Sequence, residues 1–376
     1  MKKDMFKNIY YINNIYFYRW FNLKKVLLFL IIFFIGMNKF YALADSASSF
    51  ILMEEDTKRV LVSKNMNKQK LIASTTKIMT AIIAIESNKT NKMVEVTDKV
   101  LESYGSNIYL SIGEKMKLED MLYGLIMQSG NDAALMISEA LGGEEEFVNK
   151  MNKKAKEIGM KNTIFSNPHG LDEKNKNYST AYDMALLMRY ANSLSLFKKI
   201  TGCKKHTVKT DEKTYVWANK NKLLYTYKYT TGGKTGYTEK AHRTLVTSAS
   251  KDDLNLIVVT LNDGNDFKNH KELYEYGFNN YSMKKVFDKD RINLPNKNIY
   301  ALDDYFYPIT KSEEELINIE YKISNKDKYE NNEHVGYALI KIGSKTIHEE
   351  KLYIKIRKNN NKTNKNWFTK LIDKIF

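Results

Sequence analysis

The spacing of hydrophobic and polar positions along the chain predicts both strands and helices. Two short apolar runs, 50–53 and 59–62, flank a polar turn and predict a β-hairpin. Residues 78–85 are apolar on nearly every side, which predicts a buried helix. The runs 244–248 and 254–261 are rich in β-branched residues and are separated by a polar turn, so they predict a second antiparallel pair.

Apolar residues at helical spacing predict more helices in the middle of the chain, at 118–127, 132–141, 147–158, 181–191 and 273–278. Residues 97–113 are irregular and polar, which predicts surface loops. Beyond Ser282 the helical pattern fades, and short strands alternate with polar turns up to Lys358. We therefore expect a domain boundary within about ten residues of position 287.

The N-terminal segment has the pattern of a secretory signal. Lys24 and Lys25 precede the apolar run 26–37, and an Ala-Leu-Ala sequence ends at Ala44. The run is short for a membrane span, although an uncleaved anchor is the alternative. We expect residues 1–44 to be removed and the mature protein, beginning at Asp45, to lie outside the cytoplasmic membrane.

The C-terminal end is basic and amphipathic. Residues 359–364 form a polar linker, and apolar side chains within 367–376 fill one helical stripe with lysines opposite. Such a helix is typical of a membrane-interface segment. The alternative is that this stripe packs on the body of the protein.

Charge and composition exclude several classes of function. The net charge is +16, but residues 1–44 contribute +6 and residues 351–376 contribute +7, so the middle is nearly neutral. Basic ends with apolar partners suit an anionic membrane surface better than a nucleic acid. With one cysteine, Cys203, and no paired Cys or His spacing, neither a disulfide nor a zinc site is expected.

Ser74 and Lys77 are the first candidate catalytic residues. Three positions apart, they lie on one face of the predicted buried helix. Burial disfavours the charged form of a lysine, and a neutral amine beside a hydroxyl can take its proton and activate it as a nucleophile. The same Ser-x-x-Lys spacing also occurs at Ser195, Ser248 and Ser282, so the spacing alone does not select one copy.

Two other patterns occur once each. Ser129-Gly130-Asn131 lies on a tight turn between two helices, and Lys234-Thr235-Gly236 is expected on an edge strand where glycine allows a substrate backbone to approach. The alternatives are that Asn131 or Asp132 only caps a helix, and that Lys234 only protects a sheet edge. His169 could act as a general base, but its position between Pro168 and Gly170 favours a structural role.

Together, the three patterns in this order resemble the penicillin-recognising serine enzymes. The neighbouring sequences 73–81, 167–172, 178–181 and 234–238 look like those of the low-molecular-mass D-alanyl-D-alanine carboxypeptidases, peptidase family S11. The resemblance is close over about residues 45–285. It implies an α+β fold, in which an antiparallel sheet flanked by helices and an all-helical lobe (45–287) precede a small β-rich domain (288–358) and a terminal amphipathic helix (359–376).

The resemblance also implies roles for individual residues. Ser74 would attack the peptide bond between two terminal D-alanines of a peptidoglycan stem peptide, with Lys77 as its base and Ser129 as proton relay. Asn131 would hold the substrate amide, and Lys234 and Thr235 its carboxylate. Gly236 would lie beside the substrate, and the backbone N–H groups of Ser74 and Tyr237 would form the oxyanion hole. No metal or other cofactor is implied, and β-lactams are expected to acylate Ser74.

Two alternatives remain open from the sequence. The first is a class A β-lactamase, which would need a Glu-x-x-Leu-Asn element. Residues 173–177 have the Glu and the Asn of this element but a lysine in place of its leucine. Because the surrounding run is very polar, we interpret it as a solvated loop. A non-catalytic β-lactam sensor or wall-binding module is the other. The expected partners are the stem peptide, β-lactams and a membrane surface, and no nucleic acid; the sequence leaves the oligomeric state undetermined.

Overall fold

The computed structural model describes residues 43–172, 175–294, 298–324, 326 and 328–356. The chain divides into two compact units, Met1–Asp45 and Ser46–Phe376, and the elements described here belong to the second. The predicted signal peptide, apart from residues 43 and 44, and the predicted terminal helix lie outside the described residues. Where the structure is described, no helix is both long and apolar enough to cross a membrane.

The strands, numbered in chain order, are β1 Ala47–Glu54, β2 Val60–Lys64, β3 Lys70–Leu71, β4 Met93–Glu95, β5 Lys115–Lys117, β6 Tyr178–Ser179, β7 Lys205–Lys209, β8 Thr214–Ala218, β9 Thr230–Thr238, β10 His242–Lys251, β11 Leu254–Asp263, β12 Ser282–Phe287, β13 Ile299–Ala301, β14 Tyr305–Ile309, β15 Ile317–Ile323, β16 His334–Ile342 and β17 Lys345–Ile354.

The α-helices, numbered in the same way, are α1 Lys77–Glu86, α2 Leu118–Tyr123, α3 Asn131–Ala140, α4 Glu144–Glu157, α5 Ala181–Asn192, α6 Ser195–Gly202, α7 Leu223–Thr226, α8 Asp266–Asn280 and α9 Lys311–Glu314. The described residues also include the 3-10 turns Ala73–Thr76 and Asp98–Glu102 and the π turn Gly124–Gln128.

The main sheet is antiparallel and has the order β2-β1-β11-β10-β9. Successive β1 residues point to opposite faces, yet Ile51, Leu52 and Met53 are all fully buried, so helices cover both faces. Ile51 and Met53 share a hydrophobic core with α1 and α3–α6. On the other face, Gly277 of α8 lies against Leu52. The sheet therefore supports the helices that carry the candidate site.

The predicted β1–β2 and β10–β11 pairs, the buried helix α1 and the edge position of Lys234–Gly236 are confirmed. Helix α8 begins at Asp266, earlier than predicted, because its first two turns are mostly polar and carry little hydrophobic pattern. The predicted helix 118–127 is an α-helix only to Tyr123 and ends in the π turn. Helix α6 and the β7–β8 hairpin were not predicted.

Residues 282–356, here called the C-terminal β region, have a separate hydrophobic core. Its four-stranded sheet has the order β13-β17-β16-β15, and β12 pairs with β14 in a smaller sheet. The β16–β17 pair confirms the hairpin predicted at 335–347. The predicted domain boundary near residue 287 stays a prediction.

Candidate active site

Ser74 lies in the 3-10 turn that leads directly into α1. Ala73, just before it, has a φ of +45°, a left-handed conformation that is uncommon for a residue with a side chain. Ser74 is half-buried, whereas Thr75, Thr76 and Lys77 are fully buried. This sharp turn presents the Ser74 hydroxyl at the edge of the core.

Lys77 lies one turn further along and is 0% exposed. Its Nζ is 3.0 Å from Ser74 Oγ, 2.7 Å from Asn131 Oδ1 and 2.5 Å from the His169 carbonyl oxygen. The amide and carbonyl oxygens can only accept hydrogen bonds, so the amine donates to both. A neutral amine has two N–H groups and one lone pair. The lone pair is therefore left for the Ser74 hydroxyl.

The electrostatics favour that neutral amine. Burial lowers the pKa of Lys77 well below its usual value, and the positive charge of Lys234 lowers it further. Lys220 acts in the same direction, whereas Asp132 opposes the shift. Lys77 is thus suited to accept a proton from Ser74.

Ser129 and Lys234 form a second pair beside the first. Ser129 ends the π turn in a left-handed conformation, with a φ of +64°. Its Oγ lies 3.0 Å from Lys234 Nζ, which also donates to the Thr235 carbonyl oxygen at 2.6 Å. Lys234 is 1% exposed, and burial together with the charge of Lys220 lowers its pKa to about 7. Near neutral pH this amine can both bind an anion and exchange a proton.

Strand β9 brings the Lys-Thr-Gly sequence next to the Ser74 turn. A methyl group added at Gly236 would lie 2.4 Å from Thr244 Oγ1 and 3.0 Å from the Ser74 backbone nitrogen, so only glycine fits there. Thr235 is half-buried, and Tyr237 is 63% exposed. Strand β9 is at the edge of the sheet, a position where an extended peptide can add as a further strand.

The loop 166–172 packs behind the Ser74 turn. A methyl group at Gly170, where φ is +91°, would lie 2.0 Å from the Ala73 carbonyl oxygen. Thr80 donates to the Pro168 carbonyl at 2.5 Å. His169 contributes its backbone carbonyl to Lys77, while its Nδ1 accepts the Leu171 N–H at 3.1 Å. Burial, with Lys77 close by, lowers the pKa of His169 to about 3, which favours the structural role.

The other three Ser-x-x-Lys copies are not assembled in this way. Ser195 and Lys198 are both exposed on α6. Ser248 and Lys251 lie on β10, and Ser282 and Lys285 on β12, where residues three apart point to opposite faces. In the described part of the chain, no group of three His, Cys, Asp or Glu side chains could hold a metal ion.

The segment 104–110, which hydrogen-bonds to Asn131, was not predicted to border the site. The Tyr104 carbonyl accepts from Asn131 Nδ2 at 2.6 Å, and the Ser106 carbonyl accepts the Asn131 N–H at 2.7 Å. Ile108 and Leu110 are buried, so the prediction of surface loops for 97–113 is wrong here. Lys220 was also missed, because lysines are too frequent in this chain for one to attract notice.

Asn177 corrects another expectation. It is buried, its Nδ2 donates to Thr76 Oγ1 at 2.9 Å, and its Oδ1 accepts the Ser166 N–H at 2.6 Å. The reading of 173–177 as a solvated loop is therefore wrong for Asn177, which ties this loop to the turn carrying Ser74. Glu173, on which the β-lactamase alternative depends, lies outside the described residues.

Comparison with known proteins agrees with this geometry. A family model described as Peptidase S11, D-alanyl-D-alanine carboxypeptidase, matches residues 38–265, more than half of the chain. The chain belongs to this family. The expected α+β fold of the family is confirmed by solved structures: penicillin-binding protein 5 from Haemophilus influenzae superposes with a TM-score of 0.71 at 27% identity, covering 82% of this chain and 96% of that one.

Curated relatives within the peptidase S11 family include D-alanyl-D-alanine carboxypeptidase DacF of Bacillus subtilis, which is 38% identical over 261 residues. That match spans 66% of this chain and 66% of the relative's length. D-alanyl-D-alanine carboxypeptidase DacA of Haemophilus influenzae is 30% identical over 308 residues, which cover 75% of this chain and 77% of the relative.

Proposed function

We propose that this protein is a serine D-alanyl-D-alanine carboxypeptidase that removes the terminal D-alanine from peptidoglycan pentapeptide stems. The observation that carries the proposal is the 3.0 Å approach of Ser74 Oγ to the buried Lys77 amine, whose two N–H groups already have acceptors. Family membership, through the match over residues 38–265, supports this substrate class.

In the acylation step, Lys77 takes the proton from Ser74 Oγ as that oxygen attacks the carbonyl carbon of the scissile bond. The bond from carbon to the leaving nitrogen then breaks, leaving an ester on Ser74. General base catalysis of this kind typically contributes about 10²–10⁴-fold to the rate. Burial of Lys77 lowers its pKa and so favours the uncharged base before the reaction begins.

The leaving D-alanine needs a proton on its nitrogen. Ser129 would give it, because Lys234 Nζ lies 3.0 Å from Ser129 Oγ and can replace that proton. Lys234, with a pKa lowered to about 7, can exchange protons at neutral pH without a large energetic penalty. Ser129 and Lys234 therefore serve the leaving group, while Lys77 serves the nucleophile.

The substrate's terminal carboxylate would bind Lys234 and Thr235. Its negative charge stabilises the protonated amine, and the Thr235 hydroxyl supplies a second donor. Asn131 Nδ2 uses one N–H for the Tyr104 carbonyl, so its second N–H can bind the substrate amide. Gly236 leaves room for the substrate backbone beside Ser74.

Backbone N–H groups of Ser74 and Tyr237 would stabilise the oxyanion, each donor being typically worth about 3 kcal/mol. Water then hydrolyses the ester. A β-lactam presents a carbonyl and a carboxylate in a similar arrangement, so it would acylate Ser74 and inhibit. The action on peptidoglycan places the enzyme outside the cytoplasmic membrane. Secretion through residues 1–44 and membrane contact through residues 359–376 stay predictions, and deletion of residues 364–376 would test the membrane contact.

The direct test is D-alanine release from a pentapeptide by purified wild type and by Ser74→Ala. We expect Ser74→Ala to lose activity by about 10⁴-fold or more, as nucleophile removal does in serine hydrolases. Ser195→Ala, at a surface copy of the same spacing, is the matched control and should retain wild-type activity. Rapid penicillin turnover without D-alanine release would replace the proposal with a β-lactamase. Stable penicillin binding without D-alanine release would replace it with a sensor.

A further inference from the structure

Asp132 makes an unusual set of contacts for a residue next to the active site. It is 1% exposed, and its carboxylate accepts backbone N–H groups from Ile108 at 3.0 Å, Tyr109 at 2.7 Å and Leu110 at 3.2 Å. It also accepts the N–H of Ala133 at 2.8 Å, within the first turn of α3. Helix capping alone would explain only the last contact, and the other three join α3 to a distant segment.

That segment holds Asn131 in its working orientation. Tyr104 and Ser106 accept hydrogen bonds from the Asn131 side chain and backbone, which turns Asn131 Oδ1 toward Lys77 Nζ at 2.7 Å. Tyr109 has a φ of +63°, which costs energy for a bulky residue and persists only when other contacts hold it. Its N–H makes the shortest of the three bonds to Asp132.

Asp132 also acts on Lys77 through its charge. Lys234 on β9, Lys220 after β8 and Asp132 on α3 are the charged groups that shift the pKa of Lys77, and titratable His169 in the loop 166–172 also faces it, with its carbonyl accepting from Lys77 Nζ. Lys234 and Lys220 lower the pKa of Lys77, and Asp132 is the carboxylate that raises it.

We propose that Asp132 is a positioning residue of the active site, which fixes segment 104–110 against Asn131 and sets the electrostatic environment of Lys77. This inference rests on the proposed function of Ser74 and Lys77. One carboxylate thus links the shape of the site wall to the protonation of the base, although it touches neither the substrate nor the reacting atoms.

Asp132→Asn tests both parts, because the amide has nearly the same shape but no charge. We measure penicillin acylation rates and kcat/KM for D-alanine release across pH. We expect the plateau of kcat/KM to be about 10²-fold lower than in wild type, which is the effect associated with small misplacements of catalytic groups. The acid limb of the pH profile, over which Lys77 loses its proton, should move to lower pH. The reason is that Asp132→Asn removes the charge that raises the pKa of Lys77.

Asp132→Glu keeps the charge but moves the oxygens, so its plateau should fall while its acid limb stays in place. Glu139→Gln removes an exposed carboxylate from the same helix and should match wild type in both respects. A reduced plateau with an unmoved acid limb in Asp132→Asn, or an unchanged plateau, would overturn the proposal. Should Asp132→Asn fail to fold, Asp132→Glu decides alone, and a wild-type plateau there would refute it. Wild-type protein without D-alanine release would instead refute the proposed function.

Discussion

The two hydrophobic cores of this protein differ in how they treat polar groups. The core beneath the main sheet and its helices contains buried lysines, aspartates and asparagines, among them Lys77 and Asn131, which hydrogen-bond to each other beside Ser74. In the described residues of the C-terminal β region, the fully buried side chains are all aliphatic or aromatic, such as Phe287, Ile340 and Leu352.

This difference indicates where function lies. Burying a polar group is unfavourable unless it is hydrogen-bonded, and the buried Lys77 and Asn131 form their hydrogen bonds beside Ser74. The C-terminal β region buries apolar side chains, each worth about 1.5–3 kcal/mol, and has no comparable polar cluster among its described residues. We propose that this region supports the catalytic part.

Among the changes that compare the two regions, the largest effect is expected at the contact between β9 and the Ser74 turn. Gly236→Ala would place a methyl group 2.4 Å from Thr244 Oγ1 and 3.0 Å from the Ser74 nitrogen, so the strand or the turn must move. We expect kcat/KM to fall by about 10²-fold or more. Gly264→Ala adds the same methyl group where nothing lies within 4 Å and should have no effect. Equal activity of the two variants would contradict the described site.

A smaller effect concerns pH. The pH dependence of kcat/KM reports the pKa values of the free enzyme. We therefore expect kcat/KM to fall as Lys234 loses its proton, with an apparent pKa of about 7. The positive charge of Lys220 lowers the pKa of Lys234, so Lys220→Met should move this alkaline limb to higher pH. Lys222→Met, two residues further along, is the control and should leave the limb in place. If the alkaline limb of Lys220→Met lies at the same pH as that of wild type, Lys234 does not have the proposed role.

The smallest effect is expected where the two regions meet. Arg59, in the β1–β2 turn, forms an ion pair with Glu313 at 2.5 Å, donates to the Pro308 carbonyl and lies over the rings of Tyr281 and Tyr307. Arg59→Ala should lower the free energy of unfolding by about 1–2 kcal/mol, measured in urea, since partly exposed ion pairs and cation–π contacts are each worth about 1 kcal/mol.

Activity of Arg59→Ala on soluble peptide should equal that of wild type, because the contact lies outside the catalytic residues. Lys58→Ala, which removes the exposed neighbouring charge, is the stability control. Loss of catalysis in Arg59→Ala would show that the C-terminal β region does more than support the fold.

Much of the candidate site was predictable because its signals are local. Ser74 and Lys77 are one helical turn apart, and the Ser-Gly-Asn and Lys-Thr-Gly patterns each occur once. The main strands were also predictable, because β-branched runs end at clear polar turns. In each case, the residues that carry the signal are neighbours in sequence.

The remaining features depend on contacts between distant residues. Asp132 accepts hydrogen bonds from N–H groups about two dozen positions earlier in the chain. Asn177 donates a hydrogen bond to Thr76, which is also distant in sequence. Polar residues that serve such contacts look like ordinary loop residues, because burial is not visible in their own segment. In sequence, Gly170 looks like any glycine in a turn. Only the close approach of its backbone to the Ala73 carbonyl shows why glycine is required there.

The central claim is that Ser74 is the nucleophile, and one measurement tests it most directly. Purified protein is treated with a penicillin and digested with trypsin, and the modified peptide is identified by mass spectrometry. We expect a single covalent adduct on the peptide 71–77, at Ser74. An adduct at Ser129, Ser195 or another serine, or no adduct in protein that releases D-alanine, would contradict it.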